Sequence, residues 1–174
     1  MISQNNNLKF SKKNKIFLFN PYPGIGGSDT TINRFLKSIN YNKFEVEYLS
    51  LKKVKYNVNK KIIFKKLNSK STFSSFFEIY KIIKNDKHPK KIFFSMQYFV
   101  NVWTIIFIKL ILGIKILIYD INHLEELNHN KNFKDYIKKK IIYYLVKIFY
   151  CYADIVAGNS RELADSLQKH AKCR

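Results

Sequence analysis

Short apolar runs that alternate with segments of helical periodicity constrain this chain more than any other feature. Ile16-Phe17-Leu18-Phe19 predicts a first strand over about 15–20, and Ile32, Phe35, Leu36 and Ile39 recur at helical spacing over about 29–40. Phe44 to Leu49 alternates like a half-exposed strand, while Lys60 to Leu67 fits either a short strand or a lysine-rich connection. Ser71 to Asn85 places Phe73, Phe76, Phe77, Tyr80 and Ile83 on one helical face. Ser75 and Glu78 stand at capping-box spacing there, and Pro89 follows. Ile92 to Met96 predicts a buried strand, Val100 to Leu112 a helix stopped at Gly113, and Ile114 to Tyr119 another strand. A polar loop, Asp120 to Asn132, precedes a helix over Phe133–Tyr152 whose expected core face is Ile137, Ile141, Tyr144, Leu145, Ile148 and Tyr152. Asp154 to Gly158 reads as a strand, and Ser160 caps a last helix through Leu167. Strands alternating with helices predict an α/β fold, a Rossmann-like parallel sheet with helices on both faces. One domain suits 174 residues.

The stretch Tyr98 to Ile114 approaches transmembrane length. Lys109 sits near its middle, where a Lys costs roughly 2.5–3.5 kcal/mol on insertion, and the run is near the short limit of about 17 residues for a span. Gly113 divides it into a helix and a strand, so a buried crossover is expected.

The formal net charge is +20, carried by 29 lysines against Arg34, Arg161 and Arg174. Arginine supplies most bidentate phosphate and base recognition, so this charge predicts no specific nucleic-acid partner. An anionic membrane surface needs no base readout and suits lysine better. Cys151 and Cys173 match no metal spacing, and Cys151, within an apolar helix, is expected to be a small core residue of a cytoplasmic protein. Residues 1–14 form a polar, lysine-bearing leader without the apolar core of a signal peptide, and 15–170 form the domain.

The turn between the first strand and helix, Pro23-Gly24-Ile25-Gly26-Gly27-Ser28-Asp29, presents backbone N–H groups at a helix N-terminus. Its spacing departs from the dinucleotide G-x-G-x-x-G fingerprint at Asp29, and the acid expected after the second strand is replaced by Leu49-Ser50-Leu51. No P-loop lysine follows the glycines. His123, in the loop after the strand ending at Tyr119, stands where open α/β sheets place ligands; an imidazole there can hydrogen-bond a sugar hydroxyl. His129 fits a solvated loop residue, and the two histidines do not form a metal pair. Along the helix from Phe133, Tyr136, Lys140, Tyr143, Lys147 and Tyr150 form a stripe that fits either a membrane interface or an ordinary solvated face.

Three segments together resemble a known family. They are Pro23-Gly24-Ile25-Gly26-Gly27, Ile118-Tyr119-Asp120-Ile121-Asn122-His123-Leu124, and Ala153-Asp154-Ile155-Val156-Ala157-Gly158-Asn159-Ser160-Arg161-Glu162-Leu163. In this order they resemble the N-terminal domain of GT-B glycosyltransferases of family 4, the group-1-like retaining enzymes, over about Lys15 to Gln168. The resemblance implies an acceptor-binding domain forming one wall of a cleft, with the nucleotide-sugar held by a second domain. Gly24, Gly26, Gly27, Ser28, Asp29 and Ser160 would then approach acceptor or donor phosphate, and His123 would reach the transferred sugar as the catalytic-side residue. It implies no metal or other cofactor beyond the nucleotide-sugar co-substrate, a glycan or lipid-linked acceptor, and work at the cytoplasmic membrane face. Ser28-Asp29 departs from the commoner small residue and Glu. The chain stops at Arg174, with no Glu-x7-Glu donor segment, so the isolated chain is expected to be inactive. A non-catalytic membrane-peripheral subunit with the same half-domain fold is the alternative.

Overall fold

The structure is a computed structural model that describes residues 13–24, 26–53, 61–128 and 132–171. Six strands form one sheet, all parallel, in the order β3-β2-β1-β4-β5-β6. They are β1 (Asn14–Phe19), β2 (Phe44–Ser50), β3 (Ile62–Lys66), β4 (Lys91–Met96), β5 (Lys115–Asp120) and β6 (Ile155–Gly158). The helices are α1 (Gly27–Ser38), α2 (Thr72–Asn85), α3 (Tyr98–Thr104), α4 (Phe133–Phe149) and α5 (Arg161–Ala171). The predicted Rossmann-like α/β fold is observed. The undecided stretch at 60–67 holds β3, which lies at the sheet edge with four of its five side chains exposed.

Alternation along β1 splits the core into two layers, because successive strand side chains point to opposite faces. Ile16 and Leu18 pack with Ile32 and Leu36 of α1, Val46 and Tyr48. Phe17 and Phe19 pack on the other face with Phe76 and Ile79 of α2, Val102 of α3, Val146 of α4 and Leu163 of α5. Among the described residues helices thus cover both faces unequally, α1 opposing α2, α3, α4 and α5.

The apolar stretch 98–114 is a crossover, as expected. α3 widens into a π-helical segment, Ile105–Ile111, and Gly113, at a φ of 67°, turns the chain into β5. Among the described residues no helix is long and apolar enough to cross a membrane.

Three expectations are corrected. The capping box of α2 is Ser71 with Ser74, each side chain bonding the other's backbone N–H. Ser75 is buried one turn in and donates to the Thr72 carbonyl, while Glu78 accepts from the Asn68 N–H and the Ser69 hydroxyl, bracing the loop before the helix. Cys151 is exposed, because the helix tightens into a 3-10 turn at Tyr150–Tyr152 and Tyr150 takes the inward position. The third concerns α4. Its buried residues are Ile142 and Val146, followed by Tyr150 just beyond it, whereas Ile137, Ile141, Tyr144, Ile148 and Tyr152 face outward. This helix is apolar on two sides, and periodicity cannot tell which one meets the sheet.

At the amino edge of the sheet a buried lysine joins β1, β2 and the end of α2. Lys15 Nζ lies 2.8 Å from Glu47, 2.9 Å from Asp86 and 3.2 Å from Glu45, and His88 Nδ1 lies 3.0 Å from Asp86. Burial alone would pull the Lys15 pKa down; the hydrogen bonds to Glu47 and Asp86 reverse this and hold it above the ordinary lysine value. Lys15→Met would leave these carboxylates facing one another, at a cost of roughly 3–5 kcal/mol. Urea denaturation should show that loss at neutral pH, shrinking as acid protonates the abandoned carboxylates.

Candidate functional site

A cavity of about 800 Å³ opens at the carboxyl edge of the sheet. The strand order reverses between β1 and β4, so the loops after these two strands diverge and leave a crevice, the place where open α/β sheets hold ligands. Pro21, Tyr22, Gly27 and Ser28 line it from the β1 side, Gln97 to Val100 from β4, and Asp120 to Asn122 from β5. Phe73 of α2 and Lys138, Lys139 and Ile142 of α4 close the sides.

The glycine turn needs its glycines at two positions. Gly24 and Gly26 have φ of 91° and 84°, a region that side chains with a Cβ rarely adopt. Gly26 is the N-cap of α1 and provides no side chain for capping. Asp29, in the first turn, instead ties down the loop ahead of the helix, as its carboxylate accepts the Gly24 N–H at 2.7 Å and the Asn20 amide at 3.3 Å. A negative charge therefore already sits at the α1 N-terminus and takes up the Gly24 donor. Gly27 differs from its neighbours in its ordinary φ; a Cβ added there, as at Gly24 and Gly26, would meet nothing within 4 Å.

A buried polar knot underlies the cavity. Asp120 ends β5 at 1% exposure, and its carboxylate accepts the Tyr150 hydroxyl at 2.8 Å and the Asn101 amide at 3.1 Å. The Ser95 hydroxyl donates to the Asn101 side-chain oxygen at 2.7 Å, and the Asn159 N–H donates to the Asp120 carbonyl. Burial raises the Asp120 pKa to about 7, more than the bonds from Tyr150 and Asn101 lower it. Gln97, at the mouth, has a φ of 78° and is the single described residue other than glycine with positive φ. Its N–H donates to the Tyr119 carbonyl, and its carbonyl accepts from Asn101, so the sheet and α3 impose the strained conformation. Neither Asp120 nor Gln97 was among the sequence candidates. A carboxylate closing an apolar strand was a visible signal for Asp120, whereas the backbone of Gln97 has no sequence signature.

His123 is exposed in the loop after β5, beside cavity-lining Asn122 but outside the lining itself. Ser160 caps α5, accepting the Leu163 N–H at 3.2 Å, and does not line the cavity. In the same segment Asp154 accepts the Ile116 N–H and pairs with Lys109, and Gly158 lets α5 approach, since a Cβ there would lie 3.0 Å from the Leu163 side chain. The structure therefore brings Gly27 and Ser28 to the cavity, sets Asp29 against the loop behind it, and leaves Ser160 apart. On α4, Tyr136, Lys140 and Lys147 are exposed and Tyr143 is half-buried against the His170 ring of α5, while Tyr150, the last member of the expected stripe, is instead fully buried in the knot with Asp120. His129 and Cys173 lie outside the described residues. Among the described residues no cluster of His, Cys, Asp and Glu could hold a metal ion.

No protein-family model matches this sequence, and no curated protein sequence matches it.

Two predictions follow from the knot and the strain. The folded chain holds the Asp120 proton to about pH 7, whereas an unfolded Asp releases it near pH 4. The folded state binds more protons across that interval, so Asp120 makes stability fall as pH rises from about 4 to about 7 and level off above, by up to about 1.4 kcal/mol per pH unit. Asp120→Asn keeps an amide oxygen in the knot without the titration. Denaturation across pH should show it flattening the decline and matching or exceeding the wild type above pH 7. Gln97→Gly should raise stability by roughly 1 kcal/mol, as strain of about 1–3 kcal/mol outweighs the added freedom of the unfolded glycine; thermal unfolding measures it.

Proposed function

We propose that this chain forms the acceptor-side wall of a sugar-transfer cleft in a retaining glycosyltransferase, acting on a glycan or lipid-linked acceptor. The nucleotide-sugar would be held by a second domain. The cavity at the β1/β4 reversal carries this reading. Its lining combines the rings of Phe73, Tyr98 and Phe99 with the polar groups of Ser28, Gln97 and Asn122. A hexose, with apolar C–H faces and a hydroxyl rim, matches such a pairing of aromatic and amide surfaces. Asp29 favours a neutral, hydroxyl-bearing acceptor over a phosphate at the glycine turn, because a phosphate there would meet a carboxylate instead of the Gly24 N–H. His123 at the rim would contact the transferred sugar and exchange a hydrogen bond with it.

Titration of the full chain with alkyl glucosides, followed by amide NMR shifts, tests the reading. Shifts should cluster at Gly27, Gln97 and Asn122, and a nucleotide-sugar alone should leave them unmoved. Gly27→Ala should keep the thermal midpoint, having room for its methyl, yet weaken glycoside binding by at least roughly tenfold through its intrusion on the cavity. Shifts scattered away from the cavity would remove the acceptor assignment. Turnover of a nucleotide-sugar by the isolated chain would overturn the division of labour between two domains.

A further inference from the structure

We propose that the outer face of α4 is an in-plane membrane anchor that lays Phe133, Ile137, Ile141, Tyr144 and Ile148 into the headgroup boundary of an anionic bilayer. At 3.6 residues per turn these positions fall on one stripe, opposite the buried Ile142 and Val146. The stripe is strongly exposed: Phe133 at 75%, Ile141 at 53% and Ile148 at 56%. Large apolar side chains repeated along a whole helix make a contiguous patch, which isolated surface residues do not, and such patches mark interaction surfaces. Tyr152 and Ile155, each at least half exposed, continue it past the C-terminal end of the helix.

Charge identifies the occupant. Exposed Lys140 and Lys147 border one edge of the stripe, and exposed Lys134 and Lys138 border the other. The one acid of α4, Asp135, lies on the far side of the helix and pairs with Lys139 at 3.2 Å. A second copy of this chain docking here would set lysine rims against lysine rims with no carboxylate between them. An anionic lipid surface instead neutralises both rims while the stripe leaves water. The helix is about 25 Å long and lysine-bordered, so it lies along the boundary and does not cross it. Tyr136 and Tyr143, with Lys140 and Lys147, are then the flank of the contact, and four of the inserting residues, Ile137, Ile141, Tyr144 and Ile148, are ones the sequence pattern assigned to the core. The inserting residues lie outside the cavity lining, which the surface meets at the rim residue Lys138, and the anchor holds whether or not the chain takes part in sugar transfer.

Sedimentation with vesicles of equal phosphatidylcholine and phosphatidylglycerol, against phosphatidylcholine alone, tests the anchor on the full chain. Binding should require the anionic lipid. Ile141→Asn with Ile148→Asn should weaken it by about tenfold or more, and Lys140→Glu with Lys147→Glu by a similar order, while Phe77→Asn on exposed α2 should leave it unchanged. If the isoleucine pair disturbs folding by circular dichroism, Phe133→Ser with Ile137→Ser reads the same face. Failure to bind anionic vesicles, or binding unaffected by the stripe variants, would overturn the proposal. So would a concentration-dependent dimer that those variants dissolve.

Discussion

The knot of Ser95, Asn101, Asp120 and Tyr150 is the interaction on which the candidate site depends. Four side chains from β4, α3, β5 and the turn after α4 share hydrogen bonds with almost no access to water. A buried polar network of this kind stabilises only when every member is satisfied, so its geometry tolerates few alternatives. Holding the ends of β4 and β5 to α3 and α4 sets the depth of the cavity floor and carries Gln97 to the mouth. The strain at Gln97 follows from the same arrangement, since Tyr119 and Asn101 take its two backbone groups.

The opposite edge of the sheet is tied by the Lys15 cluster. Its Coulombic attraction joins β1, β2 and the end of α2 at the buried entrance to the strands. Parallel pairing then carries this alignment to the carboxyl edge, where the diverging loops make the crevice. The two polar centres thus brace opposite ends of one sheet, and the apolar layers on its faces account for the rest of the packing.

Much of the fold was legible along the chain. Five strands lie where apolar or alternating runs place them and the sixth falls in the stretch 60–67 that fits either a strand or a connection, while the glycine turn, Gly113 and Ser160 punctuate them where the structure does. Legibility fails where a local signal has two solutions. Ser75 and Glu78 have capping spacing, but Ser71 and Ser74 lie at the true helix start. The outward residues of α4 repeat at helical spacing as regularly as the inward ones, and only the position of the sheet decides between them. At the site, the loops around Gly27 and Asn122 were identifiable by their place after strands. Ser160 caps α5 as its position predicts, away from the cavity, and Asp154 proved to be committed to the Ile116 N–H and Lys109, which a motif does not reveal.

Order along the chain, meaning the alternation of strand and helix and the glycines that permit positive φ, was determined by the sequence alone, because periodicity and backbone sterics are local. Tertiary structure alone decided which face of α4 meets the sheet, that Asp29 fills the anion position of the glycine turn, and that Asp120 is buried enough to keep its proton to about pH 7. Asp29 finds its partners five and nine residues back, once β1 and α1 have set the turn between them, whereas the face of α4 and the Asp120 proton depend on desolvation and on partners distant in the chain, which exist only once the sheet has assembled.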